Sequence, residues 1–163
     1  VIMALRIAYF KVYFPLVFYA TYFSVKAAAF DLVAMCKGSA AVNEKIRRLK
    51  NVDHPTAKDK SLLAVLRVAN EMLARGFTFK MVDLKRSSAT RWTISDKHLI
   101  APFCAVPGLG LNVAKRIVTA RHTRPFLSRE DFARRGRVSP TVLNFLNRYG
   151  VLDRLERNQL SLF

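Results

Sequence analysis

From Ile2 to Phe14 the apolar residues recur too densely for a single helical stripe, and Pro15 falls where it can end one helix and open the next. Two packed helices are the expectation. It places Tyr9, Phe10, Tyr13, Phe14, Phe18, Tyr19, Tyr22 and Phe23 at helical spacing as core aromatics rather than as a base-stacking platform. A short helix near Asp31 to Cys36 stops at Gly38, and a basic helix follows over Val42 to Leu49. Lys50 to Lys60 is the most polar stretch, contains Pro55 and reads as a linker. Beyond it Leu62, Leu66, Ala69 and Leu73 fall at helical spacing, flanked by Val65 and Met72, with Lys60, Arg67, Glu71 and Arg75 opposite. Gly76 stands where a C-terminal cap belongs.

The period then changes. Phe77, Phe79 and Met81 alternate with Thr78, Lys80 and Val82, and Trp92-Thr93-Ile94 leads through Ser95-Asp96-Lys97 to Leu99-Ile100, which predicts a small β element. From Phe103 to Leu155 the pattern is helical again. Ser128 and Asp131 form a capping-box pattern, Ser139-Pro140 is an N-cap before a first-turn proline, and Gly136 and Gly150 are the expected helix stops. The fold class expected is mainly α with a small β element.

Charge changes the picture next. The 163 residues carry 28 Lys and Arg against 11 Asp and Glu, net +17, while 52% of residues are hydrophobic. A disordered basic tail lacks the apolar residues for a core, so a folded body with a polyanionic partner is expected. Residues 1 to 100 hold net +10 and residues 101 to 163 net +7, so the charge is spread along the chain. The longest uncharged N-terminal run, Val12 to Val25, has 14 residues, short of the roughly 20 that cross a bilayer. Buried helix is the expectation there, with no membrane partner. Cys36 and Cys104 form no CxxC or Cys/His cluster, so neither zinc nor a disulfide framework is expected and a reducing cytoplasm is. The chain opens on Val1 inside an apolar periodic segment, as a piece of a longer protein would.

Pro107-Gly108-Leu109-Gly110-Leu111-Asn112-Val113-Ala114 carries the most chemical information. Its glycines permit a tight turn and close backbone approach, and the helix that follows presents unpaired N–H groups with a partial positive charge, which together make an anion site. Lys115, Arg116 and Arg121 lie on that helix. The spacing Gly108, Leu109, Gly110 and small Ala114 resembles the helix-hairpin-helix motif. That resemblance implies amides gripping a DNA phosphate without reading bases, Asn112 beside them, and Leu109 packing the two helices. A degenerate second unit follows at Arg134-Arg135-Gly136-Arg137-Val138-Ser139. It implies a tandem clamp on a duplex, with Arg135, Gly136, Arg137 and Ser139 as further contacts. No GxxxxGK[ST] is present, so a nucleotide P-loop is excluded.

The C-terminal Gln159-Leu160-Ser161-Leu162-Phe163 resembles the pentapeptide by which bacterial proteins bind the sliding clamp. Gln159 would bond at the cleft edge and Leu162 and Phe163 would fill the pocket. With Ala4 to Pro15, Glu71 to Phe77, Val82-Asp83-Leu84 and Phe126 to Asp131, these motifs make the chain resemble the C-terminal end of the PolC-type DNA polymerase III alpha subunit family. The resemblance implies four parts. Residues 1–55 end the fingers region, 56–102 hold the amphipathic helix and β element, 103–157 the tandem hairpins, and 158–163 the clamp tail. It also implies a parent enzyme that extends primers from deoxynucleoside triphosphates with two Mg²⁺ ions in its palm, no cofactor in this piece, and Arg6 and Lys11 as contributors to template or nucleotide. The partners implied are duplex DNA of any sequence, the sliding clamp and the remaining polymerase chain.

Catalytic residues are not expected here, since the acids are scattered and form no DxD. His54, His98 and His122 are isolated. Val17, Val33 and Arg67 stand where the family leads one to look for carboxylates. Two rivals stay open: a free-standing helix-hairpin-helix module of a repair or uptake protein, and a basic peripheral membrane protein.

Overall fold

The structure, a computed structural model, describes residues 2–25 and 29–155. Eight helices are found among them: α1 (Ile2–Tyr13), α2 (Pro15–Val25), α3 (Leu32–Lys37), α4 (Ser39–Lys50), α5 (Ala57–Ala74), α6 (Leu111–Thr123), α7 (Arg129–Gly136) and α8 (Pro140–Arg148). Three short strands, β1 (Thr78–Lys80), β2 (Thr93–Ser95) and β3 (His98–Ile100), form a sheet in the order β1-β3-β2. The mainly α class with a small β element is therefore observed. The described residues divide into two compact units, those up to 80 with 91–101, and 81–90 with 102–155.

In the first unit, local chemistry sets most boundaries. Asp31 caps α3, accepting from the Ala34 N–H at 3.1 Å. Thr56 and Asp59 cap α5 reciprocally, so the helix starts inside the segment whose polarity read as linker. At the other end Gly76, φ +82, takes the left-handed position, with Gly76 N–H donating to Leu73 O and Phe77 N–H to Met72 O. The buried stripe of α5 is Val65, Leu66, Ala69 and Met72, rotated from the expected Leu62 and Leu73, which are only half-buried. β1 pairs parallel and β2 antiparallel with β3, whose Leu99 and Ile100 are buried. Phe79 and Trp92 stack edge to face at 5.4 Å between centroids, with Phe23 5.7 Å from the Trp92 ring.

The N-terminal pair corrects the expectation of buried helix. Pro15 does open α2, and α1 and α2 meet at a bend of 118°. Only Tyr19, Ala20 and Phe23 of this pair reach the core, whereas α1 buries nothing: Met3 is 75% exposed, Leu5 65% and Tyr13 64%. Apolar residues all round α1 give it no stripe that a single neighbour can cover. Among the described residues, no single helix is long and apolar enough to cross a membrane.

The second unit packs α6, α7 and α8 around Ile117, Phe132, Val142 and Leu146. Its segment 81–90 is tied on by Phe103 N–H to Ser88 O and Cys104 N–H to Ala89 O, each 3.0 Å. Ser128 and Ser139 cap α7 and α8, and Pro140 opens α8, as their sequence patterns predict.

Candidate nucleic-acid interface

Two helix-opening turns in the second unit share one backbone path. In the first, Gly108 is left-handed at φ +77, Leu109 is 5% exposed, and Gly110 (φ −70, ψ 156) starts α6. In the second, Arg137 is left-handed at φ +51, Val138 is 8% exposed, and Ser139 (φ −68, ψ 153) starts α8. Leu109 and Val138 fasten each turn to the core, and Leu109 N–H donates to Val106 O at 3.1 Å. The degenerate second unit is thus a hairpin in geometry although Arg137 and Ser139 stand where the first has glycines.

The glycines of the first turn serve different needs. Gly108 is favoured by its backbone, since a β-carbon at φ +77 is strained although it would meet Val142 only at an ordinary 3.6 Å. Gly110 has an unstrained backbone, and a β-carbon there would meet nothing within 4 Å. Neither the fold nor its packing calls for glycine at 110. No side chain at the N-cap bonds the first N–H groups of α6, and the helix's partial positive charge lies behind them. Asn112, Lys115 and Arg116 are exposed on the first turns of the same helix.

The structure parts the other expected contacts from this surface. Arg121 donates to Leu84 O at 3.1 Å and Ser87 O at 2.8 Å, holding segment 81–90 to α6. Burial lowers the affinity of its guanidinium for the proton, with Asp83 opposing. Arg135, 15% exposed at its side chain, pairs with Asp131 at 3.1 Å, donates to the carbonyls of Ala120, Pro125 and Arg124, and lies 4.9 Å from the Phe126 ring centre. Gly136 is the last residue of α7 rather than the residue after it, and close packing calls for glycine there, since a β-carbon would approach Val138 to 2.9 Å and Ile117 to 3.0 Å. These three residues take part in the internal bonding and packing of the second unit. Ser139 accepts from Val142 N–H at 3.4 Å, while Arg137 is exposed.

In the first unit Lys11 pairs with Glu71 at 2.8 Å, and Tyr19 donates to the same carboxylate at 2.9 Å. Burial works against the Glu71 charge, but Lys11, Tyr19 and Arg75 outweigh it and hold the carboxyl below its usual range. Lys11 is therefore engaged within the protein, whereas Arg6 is exposed. Among the described residues no cluster of three His, Cys, Asp or Glu side chains could hold a metal ion. The expected clamp contacts Gln159, Leu160, Ser161, Leu162 and Phe163 lie outside the described residues.

The helix-hairpin-helix motif family matches residues 76–162. Over its whole length the chain is similar to proteins called DNA polymerase III PolC-type. It is 54% identical to that of Pediococcus pentosaceus, 52% to that of Listeria monocytogenes and 50% to that of Bacillus subtilis. It spans only 11 to 12% of the length of these curated relatives.

Proposed function

Since the chain belongs to the helix-hairpin-helix motif family, we propose that it grips the sugar-phosphate backbone of duplex DNA through the hairpin at Gly108 to Gly110, as the C-terminal part of a bacterial replicative polymerase. The open space over Gly110, beside an uncapped helix start, is the observation that carries this reading. A phosphate oxygen placed there accepts from backbone N–H groups at the start of α6, and Lys115 and Arg116 add attraction. Backbone amides meet phosphate alike at every base pair, so binding is independent of sequence. Arg137 contributes a second contact from the other hairpin, with Ser139 beside it.

Identity of 50 to 54% along the entire chain, rather than along residues 76–162 alone, supports the polymerase context over a free-standing repair or uptake module. In that context residues 1–55 close the fingers region, 56–102 form the following subdomain, 103–157 hold the DNA and 158–163 enter the sliding clamp. Gln159 bonds at the clamp cleft's edge, and Leu160, Leu162 and Phe163 supply its apolar anchors around Ser161. The exposed face of α1, with Arg6, is covered by the rest of the polymerase chain. DNA synthesis and its Mg²⁺ ions belong to the palm of that cytoplasmic parent, and this piece is inactive alone.

The test is a titration of the 163-residue chain with two duplexes of unrelated sequence. With three to four phosphates held, log K falls against log salt with a slope of about −3 and equally for both duplexes. Salt-independent or sequence-dependent affinity overturns the reading. Deleting Gln159 to Phe163 is expected to abolish clamp binding and leave DNA affinity intact, and retained clamp binding overturns the tail assignment.

A further inference from the structure

The second unit also holds an open cavity of about 700 Å³ that duplex binding does not use. Met81, Val82, Leu84, Phe126, Val151 and Leu155 give it apolar walls. Lys85, His122 and Arg154 line it and are exposed. The acid lining it, Asp83, has one oxygen accepting from the N–H groups of Lys85 and Arg86 at 2.8 and 2.9 Å, and its single charge is outnumbered by those of Lys85, Arg121 and Arg154. Arg121 fixes one wall by its bonds to Leu84 O and Ser87 O. The cavity is therefore built, with bonded walls, an apolar interior and an excess of positive charge.

Its place separates it from the phosphate site. The cavity lies at the C-terminal ends of α6 and α8, at His122 and at Tyr149-Gly150, whereas the hairpins lie at the starts of the same helices. Along α6 that separation is about 18 Å at 1.5 Å per residue. A duplex is a convex rod and cannot enter a concave pocket. A nucleobase enclosed by Met, Val and Leu side chains leaves its polar edges unpaired, a loss of roughly 1 to 3 kcal/mol per group. Apolar anchors flanked by carboxylates fit both the walls and the cations, and the volume lies in the range of pockets that enclose a few side chains. A second copy of this chain is a poor source of those carboxylates, with 11 acids against 28 cations.

We propose that this cavity docks a short acidic segment of a partner protein, its Leu or Phe anchors on the apolar walls and its Asp or Glu side chains against Lys85, His122 and Arg154. The test is fluorescence anisotropy on the full chain with a short labelled peptide in which Leu and Phe alternate with Asp and Glu, beside a counterpart carrying Lys for each acid. Saturable binding of the acidic peptide alone is expected. Lys85→Glu with Arg154→Glu weakens it roughly tenfold or more, whereas the equal charge change Arg47→Glu with Lys50→Glu on α4 leaves it little changed. Saturating duplex DNA does not displace the peptide. Equal weakening by both charge reversals overturns the proposal in favour of diffuse attraction. Displacement by duplex DNA or by ATP overturns it in favour of a nucleotide site. Tighter binding after deletion of residues 156–163 overturns it by making the chain's own end the occupant.

Discussion

Gly108 and Arg137 hold the same left-handed place in two hairpins, and Gly110 and Ser139 start the following helices with φ and ψ that agree within a few degrees. What differs is how each helix start is closed. Ser139 turns its hydroxyl onto the Val142 N–H, whereas Gly110 has nothing to turn, and the amides of α6 stay open. The shared path shows that a hairpin of this shape needs a buried apolar residue at its centre, Leu109 or Val138, and tolerates a non-glycine at the left-handed position. Access for an outside anion is a separate property, set largely by the residue at the N-cap. One hairpin offers backbone dipoles, and the other offers the Arg137 side chain.

Breaking the open hairpin has the largest expected effect. Gly110→Val fills the space above the α6 amides and reduces duplex affinity tenfold or more, about 1.4 kcal/mol, while the poorer N-cap costs only about 0.5–1 kcal/mol of stability. Gly108→Val loses affinity as well and also destabilises the second unit, by about 1–2 kcal/mol, because a β-branched residue resists φ +77. The matching change in the closed hairpin, Ser139→Ala, reverses the pattern: stability falls by about 1 kcal/mol with the lost cap, and affinity barely moves. Equal affinity losses at Gly110 and Ser139 end the distinction between the two. Gly136→Ala forces a methyl against Val138 and Ile117 and lowers stability by about 1 kcal/mol, at the low end for overpacking because both neighbours meet it with side-chain atoms. Urea unfolding monitored beside DNA titration separates all four.

Local signals in the sequence survive in the structure because they act over a few residues. The serine caps at 128 and 139, the proline at 140 and the Gly76 stop depend on neighbours in the chain and were legible. Thr56-Ala57-Lys58-Asp59 was an equally local cap, masked by the surrounding polarity and Pro55. Choices among adjacent columns of a helix depend on what packs there, so spacing favoured Leu62 and Leu73 while the fold buries Val65 and Met72. The hairpin was legible from Gly108 and Gly110, but not which cations stay available. Arg121 and Arg135 look like Lys115 and Arg116 in sequence, and what engages them is brought by the fold: carbonyls from residues 84 to 87 and 120 to 125, and for Arg135 the Asp131 carboxylate. A charged side chain advertises its charge but not its partner.

Acid separates the hairpins more gently. Burial opposes the charge of Asp131, but the Arg135 hydrogen bond, the Leu127 N–H and Arg124 outweigh it, so its carboxyl titrates below the usual range. With the folded value below the unfolded one, protons favour the unfolded chain. The stability that Asp131 lends the second hairpin is full above pH of about 4 and is lost as the pH falls through its depressed folded value. Below pH of about 4, the ordinary carboxylate value, Asp131→Asn flattens the stability profile measured by urea unfolding. An unchanged slope removes Asp131 from the closed hairpin's support.

The smallest change bears most directly on why the hairpins differ. A non-glycine at φ +51 carries a backbone strain of about 1–2 kcal/mol, of which glycine's greater freedom in the unfolded chain takes back about 0.5–1. Arg137→Gly is therefore expected to stabilise the protein by up to about 1 kcal/mol. If Arg137 meets a phosphate, the same substitution lowers duplex affinity and reduces the steepness of the salt dependence by about 0.9, the loss of one neutralised charge. Stability and binding then move in opposite directions, which a residue serving only the fold does not produce. A variant that gains stability with its salt slope intact leaves the second hairpin without a role on DNA and the open hairpin as the sole grip.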